Sequence, residues 1–137
     1  EIRLSLVGSE MCIRDSQHIL WENCAEQDTF LEAMADAAST VAKHFAGKIA
    51  YVAIMKNLSV DCDCCAVAED PCMNDVGILS SFDPVALDRA CIDLVINSND
   101  PGRDHFMERV NSRHGTHTID SAETLGIGTQ AYELVKV

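Results

Sequence analysis

The chain has few basic residues: 10 Lys and Arg stand against 22 Asp and Glu, giving a formal net charge of −12 over 137 residues. Such an excess of negative charge repels phosphate backbones and anionic lipids, so we expect neither nucleic acid nor a membrane among its partners. Long apolar runs are also missing. The longest covers residues 49–55, which suits a buried strand and falls far short of the roughly 20 residues that span a bilayer.

A secretory signal peptide is missing too, although the chain contains seven cysteines. Two of them, Cys64 and Cys65, are adjacent, which is unlike the spacing of a secreted disulfide framework. We therefore predict free thiols in a cytoplasmic protein. A hydrophobic content of 47% with 23% charged residues is typical of a folded globular domain and not of a disordered chain.

The first sixteen residues differ from the rest of the chain. Residues 5–16 resemble translated sequencing-adapter text, and the chain does not begin with methionine. We predict that residues 1–16 are a non-native leader and that residues 17–137 form a single α/β domain, the C-terminal fragment of a longer protein. The missing N-terminal portion of that protein would then be a partner of this domain. The alternative is a genuine strand over residues 2–7.

Apolar periodicity predicts a helix that starts at Asp28, with a capping box of Thr29 and Glu32, and stops near Gly47. The residues expected on its inner face recur at three- and four-residue steps: Phe30, Met34, Ala37, Ala38, Val41 and Phe45. Residues 48–56 follow as a predicted strand. Their apolar middle is typical of a strand buried on both faces in a parallel sheet.

The second half of the chain continues with strands and helices. Residues 76–80 are a predicted strand, and Asp83 and Pro84 suit the N-cap and first position of the helix that follows. Helices over residues 104–112 and 121–125 and a final strand over residues 132–137 complete the prediction. We predict an α/β fold, a partial three-layer sheet with helices on both faces that forms a fragment of a larger domain.

A cluster of thiols and carboxylates comes directly after the first predicted strand, in the sequence Asp61-Cys62-Asp63-Cys64-Cys65. On an extended segment Cys62 and Cys64 face the same side, so the two thiols could hold one soft metal ion. Cys62 and Cys65 also form a C-x-x-C pair. The flanking carboxylates oppose thiolate formation, which favours a metal contact over dithiol exchange. A dithiol pair and purely structural thiols remain the alternatives.

Two histidines and three aspartates are further candidates. His114 and His117 could join the thiols around one metal ion, or His114 could act as a general acid or base. The alternative is a turn whose histidines form only hydrogen bonds. Asp75, Asp83 and Asp88 could line a cation or substrate site, although the cap position of Asp83 is the stronger interpretation for that residue.

Several motifs of the chain resemble a known family. They are Asp61-Cys62-Asp63-Cys64, Asp75-Val76-Gly77-Ile78-Leu79, Asp83-Pro84-Val85-Ala86-Leu87-Asp88, Ser112-Arg113-His114-Gly115-Thr116-His117-Thr118 and Leu125-Gly126-Ile127-Gly128. Together they resemble the C-terminal part of the domain-of-unknown-function three-six-two family, which is iron–sulfur-associated. The resemblance implies a ferredoxin-type 4Fe-4S segment upstream of this region, and no such segment occurs here. Only Cys62 and Cys64 match the cysteine motif of the family.

We therefore predict an iron–sulfur or redox-associated protein fragment. Cys62 and Cys64, with His114 and His117, are its candidate metal ligands, and a redox protein is a candidate partner. The alternative is a non-catalytic α/β scaffold or partner-binding module with structural thiols. A third hypothesis is an enzyme that uses Asp75 and His114 for acid–base chemistry. The sequence does not decide whether the chain is an enzyme.

Overall fold

A computed structural model describes residues 26–61 and 67–137. Their elements in chain order are α1 (Gln27–His44), β1 (Tyr51–Met55), β2 (Gly77–Ser81), α2 (Pro84–Ile96), α3 (Arg103–Ser112) and α4 (His117–Thr124). The predicted α/β class is confirmed. None of these helices combines the length and apolarity needed to cross a bilayer.

The sheet is an antiparallel pair in which Ala53 lies opposite Leu79 and Ile54 lies opposite Ile78. The parallel arrangement expected for β1 is therefore wrong. The inner face packs on α2, whereas Val52, Ile54 and Ile78 on the other face are 62%, 66% and 71% exposed. A continuous apolar run does not show which faces of a strand are covered by other parts of the protein. In β1 only every second residue faces the core. No helix of the described ranges covers the outer face, so a second helical layer stays a prediction.

Helix α2 lies at the centre of the fold. One side packs on the sheet, in a cluster built around Met55, Met73 and Val95. The other side meets α1 and α4, where Ala35, Val85, Ile119 and Ala122 are buried together. The prediction for its start is confirmed, because Asp83 is the N-cap and Pro84 takes the first helical position.

Helix α1 turns a different face inward from the one predicted. Its buried residues are Leu31, Ala35 and Ser39, whereas Phe30, Met34, Val41 and Phe45 are exposed. The two sets repeat with the same period, so periodicity alone could not choose between them. The small side chain of Ala35 packs there against Ile119 and Ala122 of α4. The predicted capping box is also wrong, because the helix begins after Glu26 without a side-chain cap.

The C-terminal part differs from the prediction in two places. Helix α4 begins at His117, four residues before the predicted start at Ser121. Residues 132–137 form no strand. Instead, Tyr132 donates a hydrogen bond through its hydroxyl to Asp93 on α2 at 2.8 Å, so a side chain and not a strand ladder attaches this tail. The predicted α3 and β2 agree with the structure to within one residue.

Candidate functional site

The cysteine segment is described only at its two ends. Cys62, Cys64 and Cys65 belong to residues 62–66, which lie outside the described residues, as do residues 1–25 with the predicted leader. Their roles as metal ligands therefore stay predictions. Asp61 precedes the segment, and Val67 follows it.

The two ends of this segment are bonded to each other. One carboxylate oxygen of Asp61 accepts the backbone N–H of Glu69 at 3.1 Å. The hydroxyl of Ser59 donates to the carbonyl oxygen of Glu69 at 3.0 Å and accepts the backbone N–H of Asp61 at 3.3 Å. Ser59 and Asp61, which precede the thiols in sequence, and Glu69, which follows them, are therefore held together.

Two side chains of helix α3, Arg109 and His105, contact residues on either side of the thiol segment. Arg109 donates from Nη1 to the second oxygen of Asp61 at 3.0 Å, and His105 Nε2 lies 2.8 Å from a carboxylate oxygen of Glu69. A carboxylate can only accept, so the His105 nitrogen carries the proton. His105 and Arg109 are four residues apart and share one face of the helix. We call Asp61, Glu69, His105 and Arg109 the α3 clamp.

The clamp was not predicted because its pairs join residues 36 and 48 positions apart in sequence. The only local signal was a pair of basic residues four apart on one helix, opposite an acidic segment of the chain. The Asp61 side chain is 18% exposed and that of Arg109 is 40% exposed. Because both side chains are partly shielded from water, we expect this ion pair to be stronger than a fully exposed ion pair.

Cys72 packs against the hydrophobic core. Its backbone N–H donates to the carbonyl oxygen of Leu58 at 2.8 Å, and its thiol lies 3.5 Å from the same oxygen. The side chain packs against Met55, Met73 and Val95. These contacts explain Cys72 as a small core residue with a weak S–H donor.

His114 and His117 join the turn before α4 to α1. His114 Nδ1 lies 2.6 Å from a carboxylate oxygen of Asp28, and His117 Nε2 lies 3.0 Å from one of Glu32. The hydrogen bond to Glu32 is the largest cause that raises the pKa of His117, and the charges of Asp28, Glu32 and Asp120 add to it. The two histidines therefore stabilise the α1–α4 contact.

A metal role for these histidines stays a prediction. Each ring has one nitrogen bonded to a carboxylate and a second nitrogen left over, an arrangement that metal-ligating histidines share. Among residues 26–61 and 67–137, however, no three His, Cys, Asp or Glu side chains come together as a metal site.

The three aspartates have different surroundings. Asp75 accepts the backbone N–H of Asn57 at 2.9 Å and so fixes a turn in which Asn57 has a φ of 52°. Asp83 accepts the backbone N–H groups of Val85 and Ala86, and its second oxygen accepts that of Thr129, all at 2.9 Å. These contacts explain Asp75 and Asp83 structurally.

Asp88 has no hydrogen-bond donor among the described residues. It lines a cavity of about 360 Å³ between the four helices, together with Cys91. Burial raises the pKa of the Asp88 carboxyl. The sequence did not predict this cavity, whose wall is formed by several helices.

A comparison with known families identifies the chain. The sequence profile described as "Domain of unknown function (DUF362)" matches residues 8–93, which is more than half of the chain. The chain belongs to this family. The match includes the cysteine segment, both strands and most of α2, and the tail motifs around His114 and Gly126 lie beyond its end. No curated protein and no solved structure matches the chain.

Proposed function

We infer that this DUF362 chain is part of an iron–sulfur or redox-associated protein, in which Cys62 and Cys64 contact a metal ion or cluster. The observation that carries this proposal is the α3 clamp. Ordering a chain segment costs roughly 1–2 kcal/mol per residue in backbone entropy. Because Asp61 and Glu69 are bonded to each other, the points to which the thiol segment is attached are fixed before any ligand binds.

The donor chemistry of the segment fits a soft metal. Thiolates bind iron–sulfur clusters and zinc, and a bound cation would offset the neighbouring carboxylates that otherwise hold the thiols protonated. The clamp works in the same direction, because Arg109 balances the charge of Asp61 next to Cys62. When bound, the metal or cluster would supply electron transfer or a structural crosslink, and the residues of this chain would hold and orient the thiols.

The thiols of this segment are too few to form a complete cluster ligand set. A 4Fe-4S cluster takes four thiolates, and the segment offers three, of which the family motif contains two. The remaining donors would come from a redox partner or from another part of the protein to which this chain belongs. A cytoplasmic location, with its reducing conditions, is part of the same proposal because it keeps the thiols free.

Metal analysis tests the proposal. The protein is purified without oxygen, and its iron and zinc are measured for the wild type and for the double variant Cys62→Ser/Cys64→Ser. Cys72→Ser is the matched control, because Cys72 packs in the core. We expect metal in stoichiometric amount in the wild type and in the control, and its loss in the double variant. An equal metal content in all three proteins, or none in any, contradicts the proposal.

The second candidate function is a non-catalytic scaffold with structural thiols. Cys72 and Cys91 favour it, because both pack against the core cluster around Val95 and neither belongs to a group of metal-ligating residues in the described ranges. This candidate predicts that the double variant folds with unchanged stability and that no metal stabilises the wild type. Thermal unfolding with and without added Zn²⁺ separates the two candidates, because a ligand that binds only the folded state raises its stability.

A further inference from the structure

The cavity between the helices has the size and composition of a small-molecule site. Its volume of about 360 Å³ lies in the range of ligand pockets. Every described helix contributes to its wall: Ala38 from α1, Ile92 from α2, Phe106 from α3 and Ile119 from α4 are examples. The wall is therefore apolar and held by several elements, unlike a crevice in a single loop.

One charged group interrupts this apolar wall. Asp88 is the only charged residue that the described part of the chain contributes to the cavity lining. It is exposed to solvent and also lines the cavity, which places it at the opening. Since no donor of the described residues pairs with it, its carboxylate is available to a cationic group that enters the opening.

Two further polar groups line the same cavity. Cys91 is three residues along α2 and on the same face. Burial and then the charge of Asp88 raise the pKa of its thiol, so Cys91 stays protonated and is not a nucleophile. Thr118 also lines the cavity, and its hydroxyl is buried with no partner among the described residues. The cavity thus contains one buried hydroxyl without a partner among the described residues, in addition to the carboxylate of Asp88.

We propose that this cavity binds a small apolar molecule that carries a positively charged amine. The ammonium group pairs with Asp88, and the apolar body fills the space between the helices. Anionic ligands are disfavoured by Asp88 itself and by the net charge of −12. This proposal does not rest on the proposed metal function.

The test uses two probes that share an indole-ethyl body, tryptamine with a terminal ammonium group and tryptophol with a terminal hydroxyl group. Binding is followed by nuclear magnetic resonance of backbone amides at near-physiological salt. We expect tryptamine to shift the amides of Ile92 and Ile119 and to bind about tenfold more tightly than tryptophol, as for one charged hydrogen bond. The variant Asp88→Asn should lose this preference and keep the affinity for tryptophol. Glu108→Gln, which removes an exposed carboxylate on α3, should bind as the wild type does.

A second variant and a measurement on the wild type alone keep the test decisive. Ala38→Leu adds volume at the cavity wall and should weaken both probes together. Equal affinity of the wild type for tryptamine and tryptophol overturns the proposal without reference to any variant. If Asp88→Asn and Glu108→Gln weaken the binding of tryptamine equally, the proposal is also overturned. That result would indicate only a general attraction of the cation to an acidic protein. If neither probe shifts the cavity amides, residues of the protein itself or a second copy fill the space, and the proposal is wrong.

Discussion

The ion pair of the α3 clamp can be measured by a double-mutant cycle. Asp61→Asn removes the charge and keeps the shape of the side chain, and Arg109→Met keeps the apolar stem and removes the guanidinium. Exposed ion pairs contribute roughly 0.2–1 kcal/mol, and hydrogen bonds to charged groups contribute roughly 1.5–3 kcal/mol. Because Asp61 is 18% exposed and Arg109 is 40% exposed, we expect a coupling free energy of about 1 kcal/mol between these limits.

The assay is urea unfolding of metal-free protein, followed by circular dichroism. Arg113→Met is the matched control, because Arg113 lies just after α3 and has no carboxylate partner in the described ranges. Combined with Asp61→Asn, the control should give a coupling near zero. A coupling below about 0.3 kcal/mol for Asp61 and Arg109, within the usual error of additivity, would refute the role of this pair in holding the loop.

The variant Arg109→Met should also change metal binding. Residues that orient metal ligands from outside the first coordination shell typically change affinity by about 10- to 100-fold. We expect Arg109→Met to weaken metal binding by about tenfold and to keep its stoichiometry. A change in stoichiometry would instead indicate that Arg109 supports the fold of the loop as a whole.

Three further predictions concern the scaffold. Asp83→Ala removes the carboxylate that caps α2 and accepts the Thr129 N–H. It should lower the free energy of unfolding, measured in urea, by about 2 kcal/mol. Asp83→Asn can still cap the helix and should lower it by less than half as much. The pair of His117 and Glu32 raises the pKa of His117 above its ordinary value of 6.5. The stabilising effect of this pair should therefore be complete below about pH 6 and be lost as pH rises through the raised pKa of His117. Glu32→Gln should bring the pKa of His117, measured by nuclear magnetic resonance, back toward 6.5. Gly102→Ala should destabilise the protein by about 1–3 kcal/mol, because the added Cβ would overlap the carbonyl oxygen of Cys72. An unchanged urea midpoint for this variant would mean that α3 can shift away from Cys72.

Local signals in the sequence predicted those parts of the fold that local chemistry determines. Asp83 followed by Pro84 marked the start of α2, since a side-chain acceptor and a fixed φ act within one turn. The inner face of α1 was not predictable in this way. Two stripes with the same period compete there, and the choice depends on how closely α4 can approach Ala35.

The candidate site shows the same division. The thiols and carboxylates of the segment are visible in the sequence, and their chemistry favours a cation. The contacts of Arg109 with Asp61 and of His105 with Glu69 are not visible in the sequence. They form because the fold brings α3 next to residues that are distant in sequence. The same is true of Asp88, whose role in a cavity depends on four helices meeting.

X-ray absorption at the metal edge tests most directly whether Cys62 and Cys64 contact a metal. The account predicts a sulfur shell at about 2.3 Å from the metal in the wild type. It also predicts that Cys62→Ser/Cys64→Ser does not retain the metal and therefore shows no such shell, whereas Cys72→Ser leaves the shell intact. A first shell made of nitrogen and oxygen alone, or a sulfur shell unchanged in the double variant, would contradict it.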